Sequence, residues 1–230
     1  MSTQFWDRLW RSADIQFVVF LIIAYFIYGD QPKVGSSRDT LVAFYDGSRT
    51  KILIATFIFG MAVLYLLWFA AAIRSALRDA GQDGWGAAVT ASSAALGGML
   101  LVLMTVGATL AYKIAGSGNP TLTSGLNEMV WVCIVMTSFP RAMLIMAGSF
   151  GLWRAGMISN TLFTAGVGAL LLVLLGGTTW ATDGLWAPDG AYSRFISPLI
   201  GIAWIVVISG VLLKSPFTAR TPDRAAVPQW

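Results

Sequence analysis

Four polar side chains share one side of an apolar segment, residues 126–154, that is long enough to cross a bilayer. Arg141 lies at the middle of this segment, about 20 Å from either end at 1.5 Å per residue, and so near the bilayer midplane. At 100° per residue, Asn127, Thr137 and Ser138 fall within about 60° of Arg141. A guanidinium with hydroxyl and amide neighbours can bind a carboxylate or a phosphate, which makes these four residues the candidate ligand site.

Arg141 also has a structural interpretation, because it follows Pro140. Proline has no N–H, so the carbonyl of Met136 lacks its helical donor and needs another group. Arg141 could donate to backbone carbonyls near this break and to hydroxyls such as that of Thr137. In favour of a ligand, no Asp or Glu lies near mid-depth in any apolar segment, and a buried guanidinium without a counter-ion costs several kcal/mol. The sequence leaves both interpretations open.

Missing residue types exclude several chemistries. The chain has no histidine, which excludes a His-ligated metal, a haem with a proximal His and a His general base. Cys133 is the only cysteine, so the chain can form neither an internal disulfide nor an iron–sulfur cluster. We therefore assign no cofactor, no metal and no catalytic residue. A membrane enzyme remains an alternative only if carboxylates gather at one surface, for which the sequence offers Asp30, Asp46, Asp183 and Asp189.

The composition defines the environment of these residues. Hydrophobic residues make up 57% of the 230 residues and charged residues 11%, far below the ~25% charged residues typical of soluble domains. Chains of this length accommodate about six spans of ~20 residues with short loops. The net charge of +4 comes from basic residues scattered among acids, which does not indicate nucleic-acid binding.

We predict an all-α polytopic membrane protein: a bundle of six transmembrane helices with a short interfacial helix between the first two. Residues 1–215 form one domain, with spans at about 15–29, 52–73, 85–112, 126–153, 158–180 and 196–213. The interfacial helix is expected at residues 37–46, because Ser36 and Asp39 form a capping-box pattern ahead of it. The polar tail, residues 216–230, is expected to be disordered.

The third predicted span is rich in small residues. We assign helix packing to Ala91, Ala94, Ala95 and Gly98, since small side chains three or four positions apart let helix backbones approach closely, and to Pro140. This makes the third span the candidate central helix. A dimer interface would use the same residues.

The Lys and Arg content of the loops predicts the orientation of the chain in the membrane. A small excess of Lys and Arg lies on the side that holds the N-terminus, which places both termini in the cytoplasm. Six spans then place residues 30–51 and residues 183–189 on one side and residues 74–83 on the other.

Several short runs resemble a family of actinobacterial six-helix integral membrane proteins of unknown activity. These runs are Phe44-Tyr45-Asp46-Gly47-Ser48-Arg49-Thr50-Lys51-Ile52, Leu67-Trp68-Phe69, Arg74-Ser75-Ala76-Leu77-Arg78 and Phe139-Pro140. The resemblance covers most of the chain and implies a topology rather than an activity. Arg141 stands where this pattern leads us to expect an apolar residue.

Three functions in a bacterial cytoplasmic membrane follow as hypotheses. A protein that binds or moves a small anionic amphiphile or lipid predicts a cavity that reaches Arg141. A non-catalytic accessory or structural subunit predicts an exposed small-residue face on the third span, with another membrane subunit or a second copy as the partner. An enzyme without metal or histidine predicts convergent acids or hydroxyls.

Overall fold

The computed structural model describes residues 13–214, and the predicted disordered tail lies outside this range. Within it, all regular structure is helical. The helices are α1 Ala13–Tyr28, α2 Arg38–Tyr45, α3 Arg49–Asp79, α4 Asp83–Thr109, α5 Pro120–Met136, α6 Ser138–Arg154, α7 Asn160–Leu175 and α8 Ser197–Lys214. A π-helical turn, Leu110–Ile114, continues α4, and another, Tyr192–Ile196, leads into α8. The all-α membrane fold predicted from the sequence is confirmed.

Five helical segments are long and apolar enough to cross a membrane: α3, α4 with its extension to Ser117, α5 with α6, α7 with its last turn, and α8 with the preceding turn. The sixth apolar helix is α1, whose apolar part Ile15–Tyr28 is shorter. It covers about 21 Å, less than the ~30 Å hydrocarbon core. The chain is therefore a multi-pass membrane protein in which the short helix α1 requires a locally thinner bilayer or flanking polar side chains that extend to the interface.

The predicted fourth span differs from the structure at its start and at its middle. It begins at Pro120, where Asn119 caps the helix by accepting from the backbone N–H of Leu122 at 3.1 Å. It is also interrupted at Thr137, which separates α5 from α6. The interruption lies three residues before Pro140, where the missing N–H removes one bond of the helical ladder.

The interfacial helix is present as α2, but its cap differs from the predicted one. Ser37, rather than Ser36, is the N-cap residue, and its Oγ accepts from the backbone N–H of Thr40 at 3.3 Å. Leu41 and Tyr45 are the buried residues of α2. The capping-box pattern therefore located the helix to within one residue.

Helix α4 lies at the centre of the bundle, in contact with α3, α5 and α6, while α1 packs on α3 and α7 packs on α6 and α8. The small residues assigned to packing do not make these contacts, since Ala91, Ala94, Ala95 and Gly98 are all exposed. Helix α4 instead packs through the face that carries Ser93 and Gly97, and a Cβ at Gly97 would lie 3.1 Å from Val63. Within this chain α4 therefore packs through a neighbouring face, and Ala91, Ala94, Ala95 and Gly98 remain accessible for the dimer interface considered above.

Contacts between loops define the two ends of the bundle. The backbone N–H of Val34 donates to Asp189 at 3.1 Å, and Asp30 forms an ion pair with Arg194. Residues 30–51 and 183–189 therefore lie at one end, the surface-helix end, as predicted. The loop between α3 and α4 lies at the opposite end.

Cysteine labelling should reproduce this arrangement. In a Cys133→Ser background, single cysteines at Ser36 and Thr182 should react alike with a membrane-impermeant thiol reagent, and a cysteine at Ser75 should react oppositely. Intact cells and permeabilised cells provide the comparison. Identical labelling at Ser36 and Ser75 would contradict the number of spans between them.

Candidate functional site

A cavity of about 360 Å³ lies between α1, α4, the junction of α5 with α6, and α8. Its walls are mainly aliphatic and aromatic, and its charged or amide-bearing lining residues are Gln31, Arg141 and Arg194. Phe26 of α1 and Leu199 of α8 line it although they are 77% and 60% exposed. The cavity therefore opens sideways between α1 and α8, towards the surface that faces lipid.

Arg141 is held in this cavity by two hydroxyl groups. Its Nη2 donates to the hydroxyl of Thr137 at 2.5 Å, and its Nη1 donates to the hydroxyl of Ser197 at 3.1 Å. The Thr137 hydroxyl in turn donates to the carbonyl of Ile134 at 2.6 Å. Side chains lean towards the N-terminus of their helix, so the guanidinium reaches the level of Thr137, one turn nearer the surface-helix end than its own Cα.

The stem of Arg141 passes across α8 at Gly201. A Cβ at this position would lie 2.7 Å from Cδ of Arg141, closer than side-chain atoms pack. Glycine at 201 therefore provides the space through which Arg141 reaches Ser197.

Alanine at position 201 should disturb this arrangement. The added methyl group must displace the Arg141 stem, and overpacking of this kind typically costs about 1–3 kcal/mol. We expect a lower melting temperature in detergent for Gly201→Ala. Gly210→Ala is the matched control, because a Cβ at Gly210, on the same helix, would have no atom within 4 Å. This control should be neutral or slightly stabilising, and equal melting temperatures for the two variants would contradict the steric role of Gly201.

No carboxylate within residues 13–214 forms an ion pair with Arg141. Within residues 13–214 the ion pairs are Arg78 with Asp79 and Arg194 with Asp30. A guanidinium has five N–H donors, and Arg141 uses two of them on hydroxyl groups. An anion in the cavity would meet both the unpaired charge and the remaining donors.

A second polar group lies at the surface-helix end of the cavity. Arg194 forms its ion pair with Asp30 while its guanidinium lies over the ring of Trp131, 5.6 Å from the centroid. The side chain of Arg194 is 11% exposed and that of Asp30 is 82% exposed. Beside them Gln31 is 9% exposed, and its Nε2 has no hydrogen-bond partner among residues 13–214.

The polar lining is confined to one part of the cavity. Trp131, beneath Arg194, and Thr137, beside the Arg141 guanidinium, are six residues apart on one helix, which corresponds to about 9 Å. Further from the surface-helix end, the lining consists of apolar residues such as Phe17, Leu96 and Ile205. The cavity thus has a cationic part and an apolar part, which are complementary to the head group and the chain of an anionic amphiphile.

The structure brings together only some of the predicted site residues. Thr137 and Arg141 are in direct contact. Ser138 is buried beside Gly176, where a Cβ would lie 2.7 Å from its Oγ, and it is not among the residues that line the cavity.

Asn127 has a different role from the predicted one. Its Oδ1 accepts from the hydroxyl of Tyr45 at 2.8 Å, and its Nδ2 donates to the carbonyls of Pro32 and Lys33 at 3.3 Å. Burial raises the pKa of Tyr45, so the phenol stays protonated and remains a donor. Asn127 therefore attaches α2 and the preceding loop to α5, about 21 Å along the helix from Arg141.

Sequence reasoning missed Ser197, Gly201, Arg194 and Gln31. A signal for three of them was present, because Arg194, Ser197 and Gly201 recur at intervals of three and four residues and so share one helical face. No comparable signal identifies Gln31, which reaches the cavity from the loop after α1.

The described part of the chain contains no group of three or more His, Cys, Asp or Glu side chains that could hold a metal ion. Of the four aspartates considered for an enzyme, Asp30 binds Arg194 and Asp189 binds the backbone of Val34. Comparison of the chain with family models, with curated proteins and with solved structures finds no match.

Proposed function

We propose that this protein binds a small anionic amphiphile or lipid within the bilayer, with the anionic group at Arg141. The observation that carries the proposal is an unneutralised guanidinium in the lining of an otherwise apolar cavity. Because such a charge costs several kcal/mol to keep away from water, an anionic ligand offsets a cost that the protein alone leaves.

The size and the opening of the cavity support a lipid-like ligand. Its volume of about 360 Å³ lies at the lower end of the 300–1,000 Å³ range typical of ligand sites. This favours a ligand with one acyl or alkyl chain. The sideways mouth between α1 and α8 lets such a chain enter from the membrane, whereas a water-soluble anion would have to cross apolar surface.

The location, orientation and family of the protein are part of the same proposal. We propose a bacterial cytoplasmic membrane on the basis of the family resemblance, and both termini in the cytoplasm on the basis of the Lys and Arg distribution. We also propose membership in the actinobacterial six-helix family, supported by the hydrophobic pattern and the short runs quoted above.

Native mass spectrometry of protein purified in a mild neutral detergent tests the proposed function. Wild-type protein should retain an anionic amphiphile as a mass adduct, and Arg141→Leu should lose it. Arg154→Leu is the matched control, because this exposed arginine lies in the last turn of the same helix and should leave the adduct in place. Identical adducts in wild type and Arg141→Leu would overturn the proposal.

A second candidate function is that of a non-catalytic accessory or structural subunit. It is favoured by the exposed face of α4, where Ala91, Ala94, Ala95 and Gly98 form a shallow strip against which another helix could pack closely. The same mass spectra distinguish this candidate, because they would show a second polypeptide or a second copy of the chain in place of a lipid adduct.

A further inference from the structure

We infer that the cavity selects a phosphate monoester head group on a single alkyl or acyl chain, held between Arg141, Gln31 and Arg194. This inference rests on the proposed function, since it names the ligand class of the same cavity. It adds a second binding position at the surface-helix end of the cavity, formed by Gln31 and Arg194.

The polar groups that the cavity presents are hydrogen-bond donors. Arg141 and Arg194 can only donate hydrogen bonds, and the unpartnered atom of Gln31 is the donor Nε2. Arg141 has three N–H groups beyond its two hydroxyl contacts, and the Gln31 amide nitrogen adds two. A head group that satisfies them must supply many acceptors and no donor of its own.

A phosphate monoester meets this requirement better than a carboxylate. It carries three strong terminal acceptor oxygens and a charge of about −1.5 to −2 at pH 7, whereas a carboxylate has two oxygens and one charge. Its oxygens supply acceptors for the N–H groups of Arg141 and Gln31, two side chains that line the same cavity. The second negative charge matches the second guanidinium, that of Arg194.

The state of Arg194 is compatible with such a ligand. Its present partner Asp30 is 82% exposed, so the Asp30 carboxylate can return to water when Arg194 turns to an incoming anion. Arg194 itself is 11% exposed and lines the cavity, so it exchanges one anionic partner for another without becoming a buried unpaired charge.

The position of Gln31 gives the inference its sharpest test. A buried amide N–H without a partner is unfavourable in the ligand-free protein. Gln31→Leu should therefore leave the melting temperature of the ligand-free protein unchanged or raise it. The same substitution should weaken the binding of a phosphate monoester, because one charge-assisted hydrogen bond is lost.

The experiment is a titration of the purified protein in neutral detergent with dodecyl phosphate, laurate, dodecanol and inorganic phosphate. Dodecyl phosphate should bind wild type about tenfold more tightly than laurate, the difference of roughly one charge-assisted hydrogen bond. Dodecanol should not bind measurably. Inorganic phosphate at the same concentration should have no effect, because it lacks the chain that fills the apolar part of the cavity.

Two variants complete the design. Gln31→Leu should remove most of the preference for dodecyl phosphate over laurate, while its laurate affinity changes less than about twofold. Gln82→Leu, at the opposite end of the bundle, should behave as wild type in both titrations.

The outcomes separate this inference from the proposed function. Equal binding of laurate and dodecyl phosphate, with no effect of Gln31→Leu, would overturn the phosphate monoester but leave an anionic amphiphile at Arg141. An equal effect of inorganic phosphate would overturn the requirement for a chain. If neither amphiphile binds, or if Arg141→Leu binds both as wild type does, the proposed function itself fails.

Discussion

Replacement of Arg141 by leucine should abolish the thermal stabilisation that the wild-type protein gains from an anionic single-chain amphiphile, while the ligand-free protein remains folded. A ligand at a hundredfold excess over its Kd stabilises the folded state by about 2.7 kcal/mol. For a chain of this size that corresponds to roughly 5–10 °C in Tm. We expect a gain of this order for wild type and less than about 1 °C for Arg141→Leu.

The ligand-free variant should be as stable as wild type or more stable, because leucine removes an unpaired charge from an apolar cavity. Arg141→Lys should give an intermediate gain, since lysine keeps the charge and loses the planar fork of donors. Arg154→Leu should respond as wild type does. Equal gains in wild type and Arg141→Leu would show that the arginine is bound only to Thr137 and Ser197 for structural reasons.

Substitution of Asn127 by alanine should have the largest effect on stability without ligand. It leaves the buried hydroxyl of Tyr45 without its acceptor and removes the donor to the carbonyl of Lys33. The carbonyl of Pro32 keeps the N–H of Trp131, at 2.9 Å. Unsatisfied buried groups cost about 1–3 kcal/mol each, so we expect a loss of about 2–3 kcal/mol.

Limited trypsin digestion should reveal where the loss occurs. Lys33 is exposed and lies in the loop that Asn127 holds, so cleavage after Lys33 should be faster in Asn127→Ala than in wild type. Asn160→Ala removes a comparable bond, from Trp153 to Asn160 at 2.8 Å, but on an exposed surface at the opposite end, and it should change stability by less than about 0.5 kcal/mol. Unchanged digestion of Asn127→Ala would contradict the role of Asn127 in holding this loop.

The membrane fold could be predicted from the sequence because apolar length and loop composition are local properties. The breaks around Gly81 and Gly118, where the backbone has a positive φ, coincide with predicted turns. The face of α4 could not be predicted, since alanine and glycine are compatible both with a neighbouring helix and with lipid. The structure buries Ser93 and Gly97 and exposes Ala94 and Gly98.

The candidate site could be predicted only in part, because a helical wheel gives the direction of each side chain around the axis and not its position along the axis. Thr137 and Arg141 are four residues apart, so rotation and height agree and the two side chains meet. Asn127 points in a similar direction around the helix axis but lies about 21 Å from Arg141 along it, and a helical wheel does not show this distance. Ser197 and Gln31 join the site through the packing of α8 and through a loop, which no pattern within residues 126–154 encodes.

Because the Arg141 guanidinium lies near the middle of its span, the binding of an anion there should depend on the membrane potential. Moving one elementary charge across the full membrane potential changes its energy by about 2.3 kcal/mol per 100 mV. The proposed anionic head group, in moving from the surface-helix end to Arg141, would cross up to about half of that field, equivalent to roughly 1 kcal/mol per 100 mV. Occupancy of the cavity in proteoliposomes should therefore depend on an imposed diffusion potential. It should rise when the side opposite the surface-helix end is made positive, whereas binding of a head group at the interface would not respond.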